Sequence, residues 1–207
     1  MRTDKKLIGL TGYYCAGKNH VARFLEQRLL PVLDADKQGY EVIETEKADI
    51  VRRFGEDILG KNGLIDRKLL GGKVFGHPAE LAALEEIIHP KVNEKTLAWI
   101  SARKEKACVI NAALLHRSSA FEELDAVIVV EAPFFVRLLR ARKRDHLPWA
   151  ALIKRFSSQR KFNSQYFKAK TDIYRVENTG YFGFRNRSLR KKLEKRINEI
   201  LSLQGIT

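Results

Sequence analysis

The 207-residue chain predicts an α/β fold in three layers, α/β/α, around a five-stranded parallel sheet, with a helical insertion and a basic helical lid. Three observations predict it. Short apolar runs alternate with stretches of helical spacing, the signature of a parallel sheet covered on both faces. A glycine-bounded loop joins the first apolar run to the first helical stretch. About 70 residues of mainly helical character separate the second strand from the third, far more than an ordinary crossover needs.

The first strand is Lys6–Thr11, whose run Leu7-Ile8-Gly9-Leu10 reads as buried. The loop follows as Gly12-Tyr13-Tyr14-Cys15-Ala16-Gly17-Lys18-Asn19, and Val21-Ala22-Arg23-Phe24-Leu25 then has helical spacing. Strand, glycine loop, lysine and helix in that order make a phosphate-binding P-loop, and the fold class becomes P-loop kinase-like. Glycines let main-chain N–H groups turn inward around an anion, and the helix aims its positive dipole end at the same point. Lys18 adds a full charge near the outer phosphates. Asn19 stands where the pattern calls for a Ser or Thr hydroxyl to ligate Mg²⁺; its amide oxygen is a hard neutral donor and the candidate metal ligand. Cys15, at a helix N-terminus beside Lys18, is expected to be more acidic than a free thiol.

The second strand, Pro31–Ala35, carries Asp34 and runs on to Asp36. A spacing of two places both carboxylates on one side of an extended chain, at the ligand edge of a parallel sheet. One of them can accept the proton of an attacking hydroxyl; one can also simply cap the next helix. Residues 38–104 read as the insertion. It holds turns at Gly55, Gly60 and Asn62-Gly63, and a long amphipathic helix that pauses at His89-Pro90. The third strand, Ala107–Leu115, is continuously apolar and so central; the fourth is Ala126–Ala132. Two basic helices follow, over about 137–170, as the lid. The fifth strand, Asp172–Asn178, is interrupted by Arg175, and a C-terminal helix from Ser188 to Leu203 closes the chain. The whole reads as one domain, 1–207.

Net charge is +14, and residues 137–196 carry the excess, with 19 Lys and Arg against 4 Asp and Glu. That segment expects an anionic partner. Its interleaved aromatics (Phe156, Phe162, Tyr166, Phe167, Tyr181, Phe182, Phe184) keep open a second reading, a nucleic-acid-binding protein on a degenerate P-loop scaffold. No apolar run approaches the roughly 20 residues of a membrane span. Cys15 and Cys108 have no metal-binding spacing, and the expectation is a reducing cytoplasm without a disulfide. Oligomeric state is left open.

The ordered motifs resemble the dephospho-coenzyme A kinase family over nearly the whole chain. Ile8-Gly9-Leu10-Thr11-Gly12 through Gly17-Lys18 is similar to its opening strand and P-loop. Val32-Leu33-Asp34-Ala35-Asp36 is similar to its Asp-Ala-Asp motif. Phe54-Gly55-Glu56-Asp57-Ile58-Leu59 with Gly63-Leu64-Ile65-Asp66-Arg67, and Ile87-Ile88-His89-Pro90, resemble its helical part. Val129-Val130-Glu131-Ala132-Pro133, Arg140 with Arg144-Asp145, and Glu177-Asn178-Thr179-Gly180 resemble its later strand, lid and closing motif. The resemblance implies ATP with Mg as cofactors, dephospho-CoA as acceptor, and transfer to the ribose 3′-hydroxyl. It implies Asp36 as base, with Asp34 and His89 on the substrate side. It implies that residues 12–20, Gly12 to His20, hold the β- and γ-phosphates, that Arg140 and Arg144 clamp from the lid, and that Asn178 sits near the adenine. The P-loop diverges from the family's at Tyr13-Tyr14-Cys15, Asn19 and His20, Tyr40 replaces a common His, and Asn111-Ala112-Ala113-Leu114-Leu115-His116-Arg117 replaces the usual Pro-Leu-Leu-Phe-Glu segment. A P-loop kinase for another small metabolite is the remaining alternative.

Overall fold

The first strand of the chain is the middle strand of its sheet. The computed structural model describes residues 5–157, 159, 171–179 and 187–206; part of the lid expected over about 137–170, and the aromatics Phe162, Tyr166, Phe167, Tyr181, Phe182 and Phe184, fall outside them. The strands are β1 (Lys6–Gly12), β2 (Val32–Asp34), β3 (Ala107–Asn111), β4 (Ala126–Glu131) and β5 (Asp172–Glu177), in the order β2-β3-β1-β4-β5. β1 pairs in parallel with β3 and β4, and β4 with β5. The helices are α1 (Lys18–Glu26), α2 (Ala35–Thr45), α3 (Lys47–Phe54), α4 (Arg67–Val74), α5 (Pro78–Ser101), α6 (Phe134–Asp145), α7 (Trp149–Ser157) and α8 (Arg187–Leu203). They form, with the sheet, the three-layer α/β arrangement.

The chain divides into two compact units, residues 1–33 with 103–207, and residues 34–102. In the first, Ile8, Leu10, Val109, Ile128, Val130 and Val176 share a core with Val21, Phe24 and Leu25 of α1 and Leu193, Ile197 and Ile200 of α8. The apolar stripes of α1 and α8 thus together cover one face of the sheet. β3 is buried at all five positions and has a neighbouring strand on each side. It is an interior strand, though β1 is the middle one, and it stops at Asn111 rather than Leu115. β5 pairs with β4 alone, so Arg175 is tolerated at the edge, where it meets Glu131 at 2.7 Å.

The second unit is helical. Ile50, Phe54, Ile58, Ile65, Leu70, Val74 and Leu84 form its core. Asp66 caps α4, accepting from the amides of Lys68 and Leu69. Buried Gln38 accepts from Thr96 Oγ1 at 2.8 Å, tying α2 to α5. The expected pause at His89-Pro90 is absent: α5 runs 24 residues through Pro90. A proline there removes one helical hydrogen bond. Packing offsets it, with Leu84, Ile87 and Ile88 on the core before it and the Thr96–Gln38 bond after it. No helix among the described residues is long and apolar enough to cross a membrane.

Candidate active site

β1 runs directly into the loop at Gly12. A Cβ on Gly12 would lie 2.6 Å from the Val130 carbonyl oxygen, so only glycine lets β1 leave the sheet this close to β4. Tyr13 then donates its amide to that same oxygen at 3.2 Å, and Ala16 N to Tyr13 O at 2.9 Å. Cys15 and Gly17 have φ of 59° and 101°, and this pair of left-handed residues folds the main chain back on itself. Gly17 is the N-cap of α1, with no side chain capping the helix and no acidic residue in its first turn. The positive end of α1 therefore faces the loop with no carboxylate of its own first turn to offset it. Lys18 is the first helical residue and half-buried; Asn19, the second, is exposed.

The bulky Tyr13 and Tyr14 are accommodated by α6 and α7. Tyr13 packs on the sheet core with the Arg137 guanidinium 4.7 Å from its ring. Tyr14 lies edge-on to Phe156 at 5.3 Å. Its hydroxyl donates to Asp145 Oδ2, receives Arg155 Nη1 at 3.2 Å, and its amide donates to Gln159 Oε1 at 2.7 Å. Asp145 also takes Arg144 Nε on Oδ1 at 2.7 Å and Nη2 on Oδ2 at 3.1 Å. Arg144 holds the Asp145 carboxyl below the usual carboxylate range, and burial followed by the Asp145 bond raises the Tyr14 phenol. Asp145 in turn raises the pKa of Arg144.

Arg140 and Asn178 sit against the loop itself. Arg140 Nη1 donates to the carbonyls of Cys15 and Ala16 at 3.4 and 3.1 Å, and Nη2 to Asn178 O at 3.2 Å. Asn178 Nδ2 donates to Ala16 O at 2.8 Å.

Several expectations change. Burial pushes the Cys15 thiol up despite Arg144 and Arg140 nearby, because desolvating a thiolate outweighs partly paired cations. Cys15 and Cys108 are both free. Burial, then Arg190, lowers His20 to about 4, so its imidazole is neutral at pH 7. Asp34 and Asp36 do not share a strand face: β2 ends at Asp34, whose Oδ1 accepts Lys37 N at 3.0 Å as the N-cap of α2. Asp36 lies in the first turn of that helix. His89 is half-buried in the middle of α5.

One polar residue was not picked out as a site residue by the sequence. Asn111 ends β3 beside Leu10 of β1, is 2% exposed, and its Oδ1 accepts no hydrogen bond among the described residues. A polar side chain closing an otherwise apolar strand was the available signal. A buried carbonyl oxygen of this kind is a hard donor, and with the Asn19 amide it fits the oxygen preference of Mg²⁺.

Sheet, glycine loop, lysine and uncapped helix together define a P-loop kinase, an ATP-dependent transferase. The family model CoaE, dephospho-CoA kinase, matches residues 6–180. The chain belongs to the dephospho-CoA kinase family. A dephospho-CoA kinase of Treponema pallidum (strain Nichols) is 33% identical over 216 residues, covering 100% of this chain and 99% of its own. Among solved structures, TT1252 from Thermus thermophilus aligns with a TM-score of 0.77 at 28% identity, covering 94% of this chain and 97% of its own. The dephospho-CoA kinase from Campylobacter jejuni aligns at 0.66 and 27%, covering 95% and 97%.

Proposed function

We propose that the chain performs its family's reaction at the loop of residues 12–18, passing the γ-phosphate of ATP to the ribose 3′-hydroxyl of dephospho-CoA to give CoA and ADP. The observation that carries the reading is the left-handed Gly17 at the uncapped start of α1, a main-chain anion site next to Lys18. The loop amides and Lys18 bind the β- and γ-phosphates. Asp36 takes the proton of the 3′-hydroxyl as its oxygen bonds the γ-phosphorus, while the bond from that phosphorus to the β,γ-bridging oxygen breaks and ADP leaves. Asp34 holds the turn that presents Asp36, and His89 belongs to the acceptor side. Arg144, delivered by α6 and α7 acting as a lid, offsets charge on the transferring group. Asn19 and Asn111 would hold magnesium, which when bound neutralises charge on the phosphate oxygens.

Incubation of the purified chain with Mg-ATP and dephospho-CoA is expected to yield CoA and ADP in equal amounts. ADP without CoA, or no turnover beside an active control, would reject the reading.

A further inference from the structure

Family resemblance puts Asn178 at the adenine and Arg140 on the phosphates. The geometry points to another role: Asn178 and Arg140 are positioning residues that brace the phosphate loop by its carbonyls. A loop that turns its amides inward must turn carbonyls outward, and outward carbonyls that are buried need donors. Ala16 is fully buried, and its carbonyl has two, Asn178 Nδ2 at 2.8 Å and Arg140 Nη1 at 3.1 Å. Arg140 extends to the Cys15 carbonyl at 3.4 Å. The two braces are joined to each other through Arg140 Nη2 and the Asn178 carbonyl, 3.2 Å apart. Asn178 is in turn fixed to the end of β4, donating its own amide to Glu131 O at 2.8 Å, and is 4% exposed.

The glycine at 17 belongs to the same device. A Cβ there would stand 2.2 Å from Asn178 Nδ2, so the asparagine can reach Ala16 only across a residue with no side chain. The anchored Ala16 carbonyl fixes the direction of the Gly17 amide across the same peptide plane, while the Cys15 plane is held on both sides, its Ala16 amide donating to Tyr13 O at 2.9 Å. The anion site is then oriented before any anion arrives, and no reorganisation is needed on binding. The inference rests on the phosphate-binding reading of residues 12–18 and adds how that site is held in shape.

The roles separate in what they bind. A residue that touches adenine affects ATP and leaves a bare phosphate chain alone; a brace affects both. Dissociation constants of ATP and inorganic tripolyphosphate are measured for wild type, Asn178→Leu and Asn178→Ala, with unliganded melting curves to establish that each variant is folded. Asn178→Leu keeps the branched side-chain shape and removes the donor without adding charge. Both variants are expected to weaken the two ligands by the same factor, about tenfold, the worth of one buried hydrogen bond. Weakening of ATP alone, or of neither ligand, overturns the brace while leaving the phosphate site standing. A wild-type chain that binds neither ligand overturns both.

Discussion

Arg144 and Asp145, neighbours at the end of α6, face each other through two hydrogen bonds of 2.7 and 3.1 Å, and the same carboxylate receives the Tyr14 hydroxyl from the loop. The cation assigned to the transferring phosphate is therefore aimed by an anion that also grips the P-loop. Asp145→Asn keeps the shape and removes the charge. It is expected to lower kcat by about tenfold, because a loosely held guanidinium is misplaced in the transition state, with the KM for ATP changed less. The pH dependence has a definite sign. The folded Asp145 carboxyl titrates below its unfolded value of about 3.9. Its contribution is present above that pH and fades as pH falls through the folded value. Melting temperature against pH should fall more steeply below about pH 4 in wild type than in Asp145→Asn; parallel curves would contradict this.

Gly17→Ala meets two obstacles, a φ of 101° and the Asn178 amide. Left-handed strain alone costs roughly 1–3 kcal/mol. Urea unfolding should show at least that loss, and ATP binding should be undetectable at millimolar nucleotide. An alanine variant with wild-type affinity would mean that the loop rearranges before it binds.

Lys18→Ala and Asp36→Asn should fail in different ways. The first removes charge from the phosphates and should raise the ATP dissociation constant and cut kcat/KM by at least about 10²-fold. The second removes the proposed base and should cut kcat by roughly 10²–10⁴-fold with ATP affinity intact. Calorimetric titration with ATP beside steady-state kinetics distinguishes them. Full activity in Asp36→Asn would move the base elsewhere.

Asn111→Asp places a negative charge at the buried end of β3. If Asn111 helps to hold magnesium, half-saturation by Mg²⁺ should occur at roughly tenfold lower concentration, an effect of about 1.4 kcal/mol. Mn²⁺ titration followed by paramagnetic resonance, with nucleotide and no acceptor, reads this without turnover. An unchanged metal requirement removes Asn111 from the site.

Local pattern made the sheet and the loop legible. Alternating apolar runs gave the strands, and the spacing of Gly12, Gly17 and Lys18 gave the loop between β1 and α1, because both depend on neighbours in sequence. What was illegible depends on distant partners or on competing local terms. Asn178 and Ala16 are 162 positions apart, and no periodicity joins them. The two-residue spacing of Asp34 and Asp36 lost its meaning once Asp34 capped a helix and ended the strand. At Pro90 tertiary packing overrode a local helix breaker, and at Cys15 desolvation outweighed nearby cations. The helices after β4 could be read from their spacing, but that Tyr14 fastens them to the loop could not.

β1 occupies the centre of the sheet, yet the ribosome makes it first. Its partners β3 and β4 begin at Ala107 and Ala126, so during synthesis this apolar ribbon waits with both edges bare. A nascent chain released before Ala126 still carries one of those edges, and such fragments are the ones that need a chaperone or a protease most.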